Sequence, residues 1–135
     1  MSVPNRKVVT GGKSWPTRYT YVPALRVGNL LFISGTMATD DNNQIVGRGD
    51  IVAQTRDIFG KFEQLLASIG ATCANIVQTT DYITTTESYK ATAQVRREIF
   101  GDDFPTATGI MVAGLLREGA LIEISAIAAL SDDTD

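Results

Sequence analysis

Histidine is missing from this 135-residue chain, and its absence removes much of the usual chemistry of enzymes. Histidine is the commonest general base and the commonest metal ligand, so a histidine-based catalytic triad is excluded. A zinc site would have to combine the single cysteine, Cys73, with carboxylates, which is not a set of ligands that zinc proteins favour. We therefore expect no metal site.

Cysteine and long apolar runs are scarce as well. Cys73 is the only cysteine, so no internal disulfide can form and nothing indicates an oxidising compartment. We expect Cys73 to fill space in the interior. No apolar run approaches the roughly 20 residues of a membrane helix, and the N-terminus has no apolar signal core. The sequence thus predicts a soluble, cytoplasmic protein with no membrane partner.

A basic patch is the third absence. The net charge is −3, and the basic residues are scattered apart from the pair Arg96-Arg97, so we expect no nucleic-acid partner. A hydrophobic content of 44% is enough for a packed core and argues against disorder. The length of the chain predicts one domain spanning residues 1–135.

Runs of β-branched and aromatic residues predict the strands. Gly28-Asn29 is a two-residue hairpin signal between two of them, and Pro23 requires the earlier strand to lie at an edge or to bulge there. Residues 1–19 predict a short strand and a loop, and residues 131–135 predict an acidic tail. The other predicted strands are Tyr21–Val27, Leu30–Ser34, Ile76–Thr84, Phe104–Val112 and Leu121–Ala129.

Two amphipathic segments predict helices. Asp50 is a natural N-cap for the first, whose apolar residues repeat at helical spacing until Gly70. Thr84 and Glu87 resemble a capping box for the second, which ends at Gly101. The order of elements predicts an α+β fold, in which two helices of roughly 14 to 20 residues cover one face of a mixed sheet.

The last strand by itself predicts an oligomer. Ile122 and Ile124 alternate along it with Leu121 and Ile127, so both of its faces are largely apolar. If the helices cover one face, the second apolar face has to be buried against another chain. Glu123 lies among these aliphatic residues, where an unpaired carboxylate is costly to desolvate. It therefore either faces solvent or lines a pocket.

Several segments together resemble the reactive intermediate deaminase family, also called Rid or YjgF. The C-terminal signature of that family is matched by Phe104-Pro105 and by Ile122-Glu123-Ile124-Ser125-Ala126-Ile127-Ala128. The similarity extends over Tyr21–Ala129, and the combination of segments is specific. Arg26–Gly35 is similar to the early hairpin of the family. Asp50-Ile51 with Ala53–Arg56 is similar to the start of its first helix, and Ile76-Val77 with Thr79-Thr80 to its central strand.

This resemblance implies a chorismate-mutase-like α+β fold that assembles as a homotrimer, with small-molecule pockets between the subunits. It implies hydrolysis of a reactive enamine or imine to a carbonyl compound and ammonia, without a metal or organic cofactor. Residue by residue, it implies that Glu123 positions or activates the hydrolytic water, that Tyr21 belongs to the pocket and that the backbone of Gly35 contacts the ligand. Members that act on amino-substituted muconic acids suggest an aminomuconate-type substrate.

Three positions depart from the family pattern. Ala107 stands where the deaminating members carry an arginine that binds the substrate carboxylate, Gly109 where many have cysteine, and Ala93 where some have asparagine. Alanine cannot form the bidentate pair of a guanidinium with a carboxylate. Either another cation supplies the charge, or the substrate lacks that group, or activity is lost. The candidate cations are Arg18, next to an aromatic cluster, and Arg117, in the turn before the last strand.

Two functions therefore stay open. The first is a cofactor-independent enamine or imine deaminase, in which the hydroxyl of Thr108 either binds substrate or water or simply packs in its strand. The alternative is a non-catalytic trimer that binds a small metabolite or a protein, and Ala107 is its motivation. Ribonuclease activity is attached to some members of the family, but the acidic composition and the absence of histidine argue against it here.

Overall fold

The computed structural model describes residues 6–131, in which six strands form one sheet covered by helices on one face. The strands are β1 (Arg6–Val9), β2 (Ala24–Val27), β3 (Leu30–Met37), β4 (Ile76–Ile83), β5 (Thr106–Met111) and β6 (Ile122–Ala129). Their order in space is β1-β2-β3-β6-β4-β5, and only β4 and β5 pair in parallel. The predicted α+β class and mixed sheet are confirmed. Residues 132–135 of the predicted tail lie outside the described residues.

The first helix, α1 (Ile51–Ala67), has the predicted start. The carboxylate of Asp50 accepts the backbone N–H of Ala53 at 3.0 Å, as an N-cap does. The last helical residue is Ala67 and Ser68 is the C-cap; Gly70 follows with a positive φ of 78°, which glycine adopts without strain. Two short 3₁₀ segments, Cys73–Asn75 and Tyr89–Thr92, precede β4 and the second helix.

The second helix, α2 (Ala93–Phe100), is only 8 residues long, so its predicted length was wrong. The predicted capping box at Thr84 and Glu87 does not form either. The backbone N–H of Glu87 donates instead to the hydroxyl of Thr85 at 3.1 Å, and Ser88 takes a left-handed conformation with φ 60°. Because a left-handed residue cannot be part of a right-handed helix, this turn delays the start of α2.

The first hairpin keeps its predicted turn but begins later. Gly28 has the positive φ of 58° that suits a two-residue connection, and it joins β2 to β3. The carbonyl of Pro23 accepts the N–H of Ser34 at 2.9 Å, and β2 begins only at the next residue. The predicted strand Tyr21–Val27 is therefore too long, and Tyr21 lies in a loop. β1 pairs along β2, so β2 is not an edge strand. The predicted choice between an edge and a bulge at Pro23 does not arise, because Pro23 lies outside β2.

One apolar core lies between the sheet and the helices. Every second residue of β6 is buried in it; of the residues between them, Glu123, Ser125 and Ile127 are partly buried and Ala129 is exposed. The opposite side of the sheet, called the open face below, leaves Leu30 and Phe32 about two fifths exposed, at 42% and 41%. The two-faced pattern predicted for the last strand thus continues onto β3. The main contributions to the core are Leu31, Ile33, Ile58, Phe59, Phe62, Leu66, Ile122 and Ile124.

Candidate functional site

Glu123 lies on the open face, on β6. Its register partners are Met37 on β3 and Tyr82 on β4, and its chain neighbours Ile122 and Ile124 are fully buried on the other face. The side chain is half-buried, and no side chain or backbone N–H of residues 6–131 donates a hydrogen bond to its carboxylate. Burial raises the pKa of Glu123 above its ordinary value of 4.5, so this carboxyl group keeps its proton to a higher pH than a solvated glutamate does.

Glycine at position 35 makes room for this carboxyl group. The register of β3 against β6 shifts between Ile33 and Thr36, and Gly35 lies in that bulge. A Cβ atom on residue 35 would lie 3.0 Å from Cδ of Glu123 and closer still to its Oε2. The φ of Gly35 is not positive, so the close approach of Glu123, and not the backbone conformation, requires glycine here.

A cleft of about 510 Å³ opens beside Gly35, between the N-terminal loop, β3 and α1. Tyr21 lines it within an aromatic cluster that includes Trp15 and Tyr19, and the three ring centroids are 4.9 to 5.7 Å apart. The indole N–H of Trp15 donates to the backbone carbonyl of Tyr21 at 2.7 Å and fixes the loop. Glu123 does not line this cleft; its carboxyl group lies against Gly35, which does.

Both cations that the sequence suggested as replacements for the family arginine line the cleft. The guanidinium of Arg18 stacks over the ring of Tyr19, with Cζ 4.8 Å from the centroid. Arg117 donates from Nη1 to the backbone carbonyl of Asn43 at 3.4 Å. The charged residues of the cleft are Lys13, Arg18, Lys61 and Arg117, with Asp40 and Asp41 as the acids.

Lys61, which the sequence reasoning did not select, is the most firmly held of these cations. Its Nζ donates to the carbonyl of Met37 at 2.7 Å and to the hydroxyl of Thr39 at 2.8 Å. Oδ2 of Asp57 lies 3.7 Å away. Burial lowers the pKa of Lys61, although the nearby carboxylate of Asp57 opposes this effect. A lysine on an amphipathic helix usually marks a solvated face, so the sequence alone contained no signal for this position.

Ala107 and Thr108 lie apart from the cleft, on the edge strand β5. Ala107 is opposite Thr79 and Thr108 is opposite Thr80. Thr79 is buried under the helices, so Ala107 points to that side, whereas Thr108 shares the open face with Thr80 and Ser125. β4 and β6 separate this strand from β3 and the cleft, so one chain alone does not bring these two residues to the others.

A buried ion pair lies behind β5, and the sequence did not predict it. Asp81 is 1% exposed, and its Oδ2 accepts from Arg96 and from the hydroxyl of Tyr89, each at 2.6 Å. Burial, followed by the hydrogen bond to Asp81, raises the pKa of Tyr89 to about 12. Gly109 is opposite Asp81, and a Cβ atom there would lie 3.1 Å from the Tyr89 hydroxyl. Since Asp81 neutralises Arg96, this arginine does not replace the one missing at Ala107.

The described part of the chain contains no group of three or more side chains that could hold a metal ion. Cys73 is buried, and burial raises the pKa of its thiol to about 12, so the group stays protonated and behaves as an apolar filler. Among residues 6–131, no helix is long and apolar enough to cross a lipid bilayer.

The sequence model of the family described as Endoribonuclease L-PSP matches residues 12–130. The chain belongs to this family. It is the Rid or YjgF family that the sequence resembles, so that prediction is confirmed. The 3-aminoacrylate deaminase RutC of Acinetobacter baylyi is 32% identical over 113 residues, which cover 84% of this chain and 89% of that protein.

Solved structures share the fold. Rv2704 of Mycobacterium tuberculosis, described as a member of the YjgF/YER057c/UK114 family, is 32% identical with a TM-score of 0.77, over 93% of this chain and 99% of that one. PA3499 of Pseudomonas aeruginosa, a protein of unknown function, is 29% identical with a TM-score of 0.83, over 93% of each chain. The six-stranded sheet with its two helices is thus the family fold.

Proposed function

We propose that this chain hydrolyses a reactive enamine or imine to a carbonyl compound and ammonia, without a cofactor. The observation that carries the proposal is the carboxyl group of Glu123, which is half-buried, lacks a donor among the described residues and lies against Gly35. Because burial raises its pKa, this carboxyl group keeps its proton at higher pH than a solvated one and is suited to proton transfer. The similarity to a 3-aminoacrylate deaminase supports the same class of reaction.

The chemistry needs one group that both gives and takes a proton. Glu123 as an acid protonates the β-carbon of the enamine with the electron pair of the C=C bond, and the lone pair of the nitrogen forms the C=N bond of a protonated imine. The resulting carboxylate takes a proton from water while the oxygen attacks the imine carbon, which gives a carbinolamine. Glu123 then protonates the nitrogen, the C–N bond breaks, and the hydroxyl proton returns to the carboxylate. Enamine and water are consumed, and the products are a carbonyl compound and ammonia.

A homotrimer completes the site in this proposal. Leu30 and Phe32 expose apolar surface on the open face that a second chain would bury. β5, with Ala107 and Thr108, lies away from the cleft of its own chain. A neighbouring copy is therefore needed to bring this strand to Tyr21, so the substrate would bind between subunits.

The cleft can bind a negatively charged substrate although residue 107 is an alanine. Its volume lies within the range of about 300–1,000 Å³ that is common for small-molecule pockets. Arg18 and Arg117 both line it and can each bind a carboxylate. Two cations on one cleft suit a substrate with two carboxylates, and an aminomuconate-type diacid is the substrate that we propose.

The alternative function, a non-catalytic trimer that binds a small metabolite or a protein, has one observation in its favour. Ala107 cannot bind a carboxylate, and the nearby Arg96 is already paired with Asp81 at 2.6 Å. β5 therefore offers no free cation to the shared site. Under this alternative the cleft still binds its ligand, but the ligand is not hydrolysed.

The test compares rates of hydrolysis with and without the protein. Imines and enamines of short monocarboxylic and dicarboxylic amino acids are generated in situ by an amino-acid oxidase, and ammonia release is followed over time. We expect the protein to accelerate release beyond the spontaneous rate, and most strongly for a conjugated diacid. Calorimetric binding of the diacid product without any acceleration would support the non-catalytic alternative. Cleavage of RNA by the same preparation, with no acceleration, would favour the ribonuclease activity for which the family is named.

A further inference from the structure

The buried carboxylate of Asp81 forms hydrogen bonds through only one of its two oxygens. Oδ2 accepts from Nη2 of Arg96 and from the hydroxyl of Tyr89. Oδ1 is buried as well, and no side chain or backbone N–H of the described residues donates to it. An ionised oxygen that is removed from water without a donor is costly, so Oδ1 needs a donor that the surrounding side chains do not supply.

A second unpartnered polar atom lies on the same strand. Oγ1 of Thr79 is buried and has no hydrogen-bond partner among residues 6–131. Thr79 and Asp81 are two residues apart on β4, so their side chains project to the same side of the sheet, under the helices. Both residues are 1% exposed. One small molecule that bonds to both side chains would satisfy the two atoms together.

The strands on either side of β4 place little bulk beside these two residues. Three of the four flanking positions on β5 and β6 are alanine or glycine. The flanking residues are Ala107 and Ala126 beside Thr79, and Gly109 and Ile124 beside Asp81. Residues that are opposite one another in a sheet project to the same side. The neighbouring strands therefore do not fill the space around Thr79 with long side chains of their own.

The charges near Asp81 favour a neutral ligand. Arg96 already pairs with Asp81, and its Cζ lies 5.6 Å from the centroid of the Phe59 ring, which attracts a cation as well. A further cation at Oδ1 would be repelled by Arg96 at short range. Water is neutral, and buried waters bond to polar groups that would otherwise be unsatisfied.

We propose that Asp81 and Thr79 together bind one buried water molecule. The water donates to Oδ1 of Asp81, and the hydroxyl of Thr79 donates to the water oxygen. This site lies under the helices, on the opposite side of the sheet from the carboxyl group of Glu123, and it is separate from the cleft. It does not depend on the proposed function, because the water is part of the folded chain whether or not a substrate is hydrolysed.

The sign of the stability change in Thr79→Val tests the proposal. Valine has nearly the same shape as threonine but no hydroxyl. If a water is bound, valine removes one of its partners, and the equilibrium constant for folding from urea denaturation should fall by about 5- to 100-fold. If the hydroxyl is simply unpaired, valine removes an unsatisfied polar group, and the constant should rise. Thr86→Val, in the exposed turn before α2, is the control and should change the constant less than about 3-fold.

A high-resolution crystal structure of the unaltered protein gives the second measurement. One peak of electron density at about 2.7–3.2 Å from both Oδ1 of Asp81 and Oγ1 of Thr79 supports the proposal. A direct hydrogen bond between these two atoms, or no peak between them, would overturn it. So would a peak with several oxygen neighbours at about 2.3–2.6 Å, which is the spacing around a calcium ion. An equilibrium constant that rises or stays unchanged in Thr79→Val also contradicts it. Neither measurement uses a substrate, so deamination can fail while this proposal stands.

Discussion

The carboxyl group of Glu123 occupies the space that a side chain on residue 35 would need. A Cβ atom at Gly35 would lie 3.0 Å from Cδ of Glu123 and closer to Oε2. The two residues lie on neighbouring strands, at a bulge where β3 changes its register against β6. This contact joins the proposed acid to the cleft, because Gly35 lines the cleft and Glu123 does not.

Gly35→Ala should therefore displace Glu123. We expect a loss of about 1–3 kcal/mol in the free energy of unfolding, as for other overpacked sites, and a larger relative loss in the rate of ammonia release. Gly60→Ala is the matched control, because residue 60 lies in α1 and, apart from its chain neighbours and the backbone of α1, no atom would be within 4 Å of its Cβ. That change should stabilise the helix by about 0.5–1 kcal/mol and leave the rate unchanged. Urea denaturation measures the free energy of unfolding, and the ammonia assay measures the rate. If Gly35→Ala and Gly60→Ala change both quantities equally, the contact between residue 35 and Glu123 is refuted.

The raised pKa of Glu123 predicts the sign of a pH effect on stability. Between the ordinary pKa of 4.5 and the higher pKa of the folded chain, the folded state holds more protons on this group than the unfolded state. The contribution of Glu123 to the free energy of unfolding is thus complete below pH 4.5 and decreases as the pH rises through this interval. Urea denaturation at several pH values measures the free energy of unfolding of the unaltered chain and of Glu123→Gln. The value for the unaltered chain minus the value for Glu123→Gln should fall as the pH rises. If this signed difference rises with pH or stays constant, the assignment is contradicted.

The buried ion pair of Arg96 and Asp81 should contribute to the free energy of unfolding. Arg96→Met leaves the carboxylate of Asp81 buried without its cation, which should cost about 3–5 kcal/mol. Arg56→Met is the control: Arg56 pairs with Glu98 at the surface, where both side chains are about half exposed, and should cost at most about 1 kcal/mol. Similar losses in both variants would mean that Asp81 does not depend on Arg96.

The apolar open face predicts the state of association. We expect three chains per particle in analytical ultracentrifugation, and we expect Phe32→Glu to lower this number, because it places a charge on a 41% exposed aromatic position of that face. Glu63→Lys, on the exposed side of α1, should leave it unchanged. A monomer in the unaltered protein, or a Phe32→Glu variant that remains fully assembled, would remove the basis for a site between subunits.

Local signals in the sequence were enough for much of the fold. The turn at Gly28 and the N-cap at Asp50 depend on one or two residues with strong preferences, and the alternation along Ile122–Ala129 is a direct pattern of burial. The late start of α2 depends on the left-handed conformation of Ser88. The late start of β2 is consistent with Pro23, which has no N–H to extend the pairing, although its carbonyl accepts the N–H of Ser34. No periodicity in the sequence encodes either of these.

The site was harder to predict, because its remaining parts depend on contacts between distant segments. Glu123 stood out as an acid among aliphatic residues. Lys61 meets Thr39 across 22 residues of sequence, and Arg96 meets Asp81 across 15. The only local signal for the ion pair was an acid inside the β-branched run of β4, and its partner could not be chosen from the several basic residues of the chain.

The rate of ammonia release by Glu123→Gln tests the central claim most directly. Glutamine keeps nearly the same size and leaves the contact with Gly35 in place, but it cannot give or take the proton. We expect the variant to remain folded and assembled and to lose about 100-fold or more of the accelerated rate, the usual contribution of a general acid and base. A folded Glu123→Gln variant that releases ammonia as fast as the unaltered protein would show that Glu123 is not the proton-transfer group.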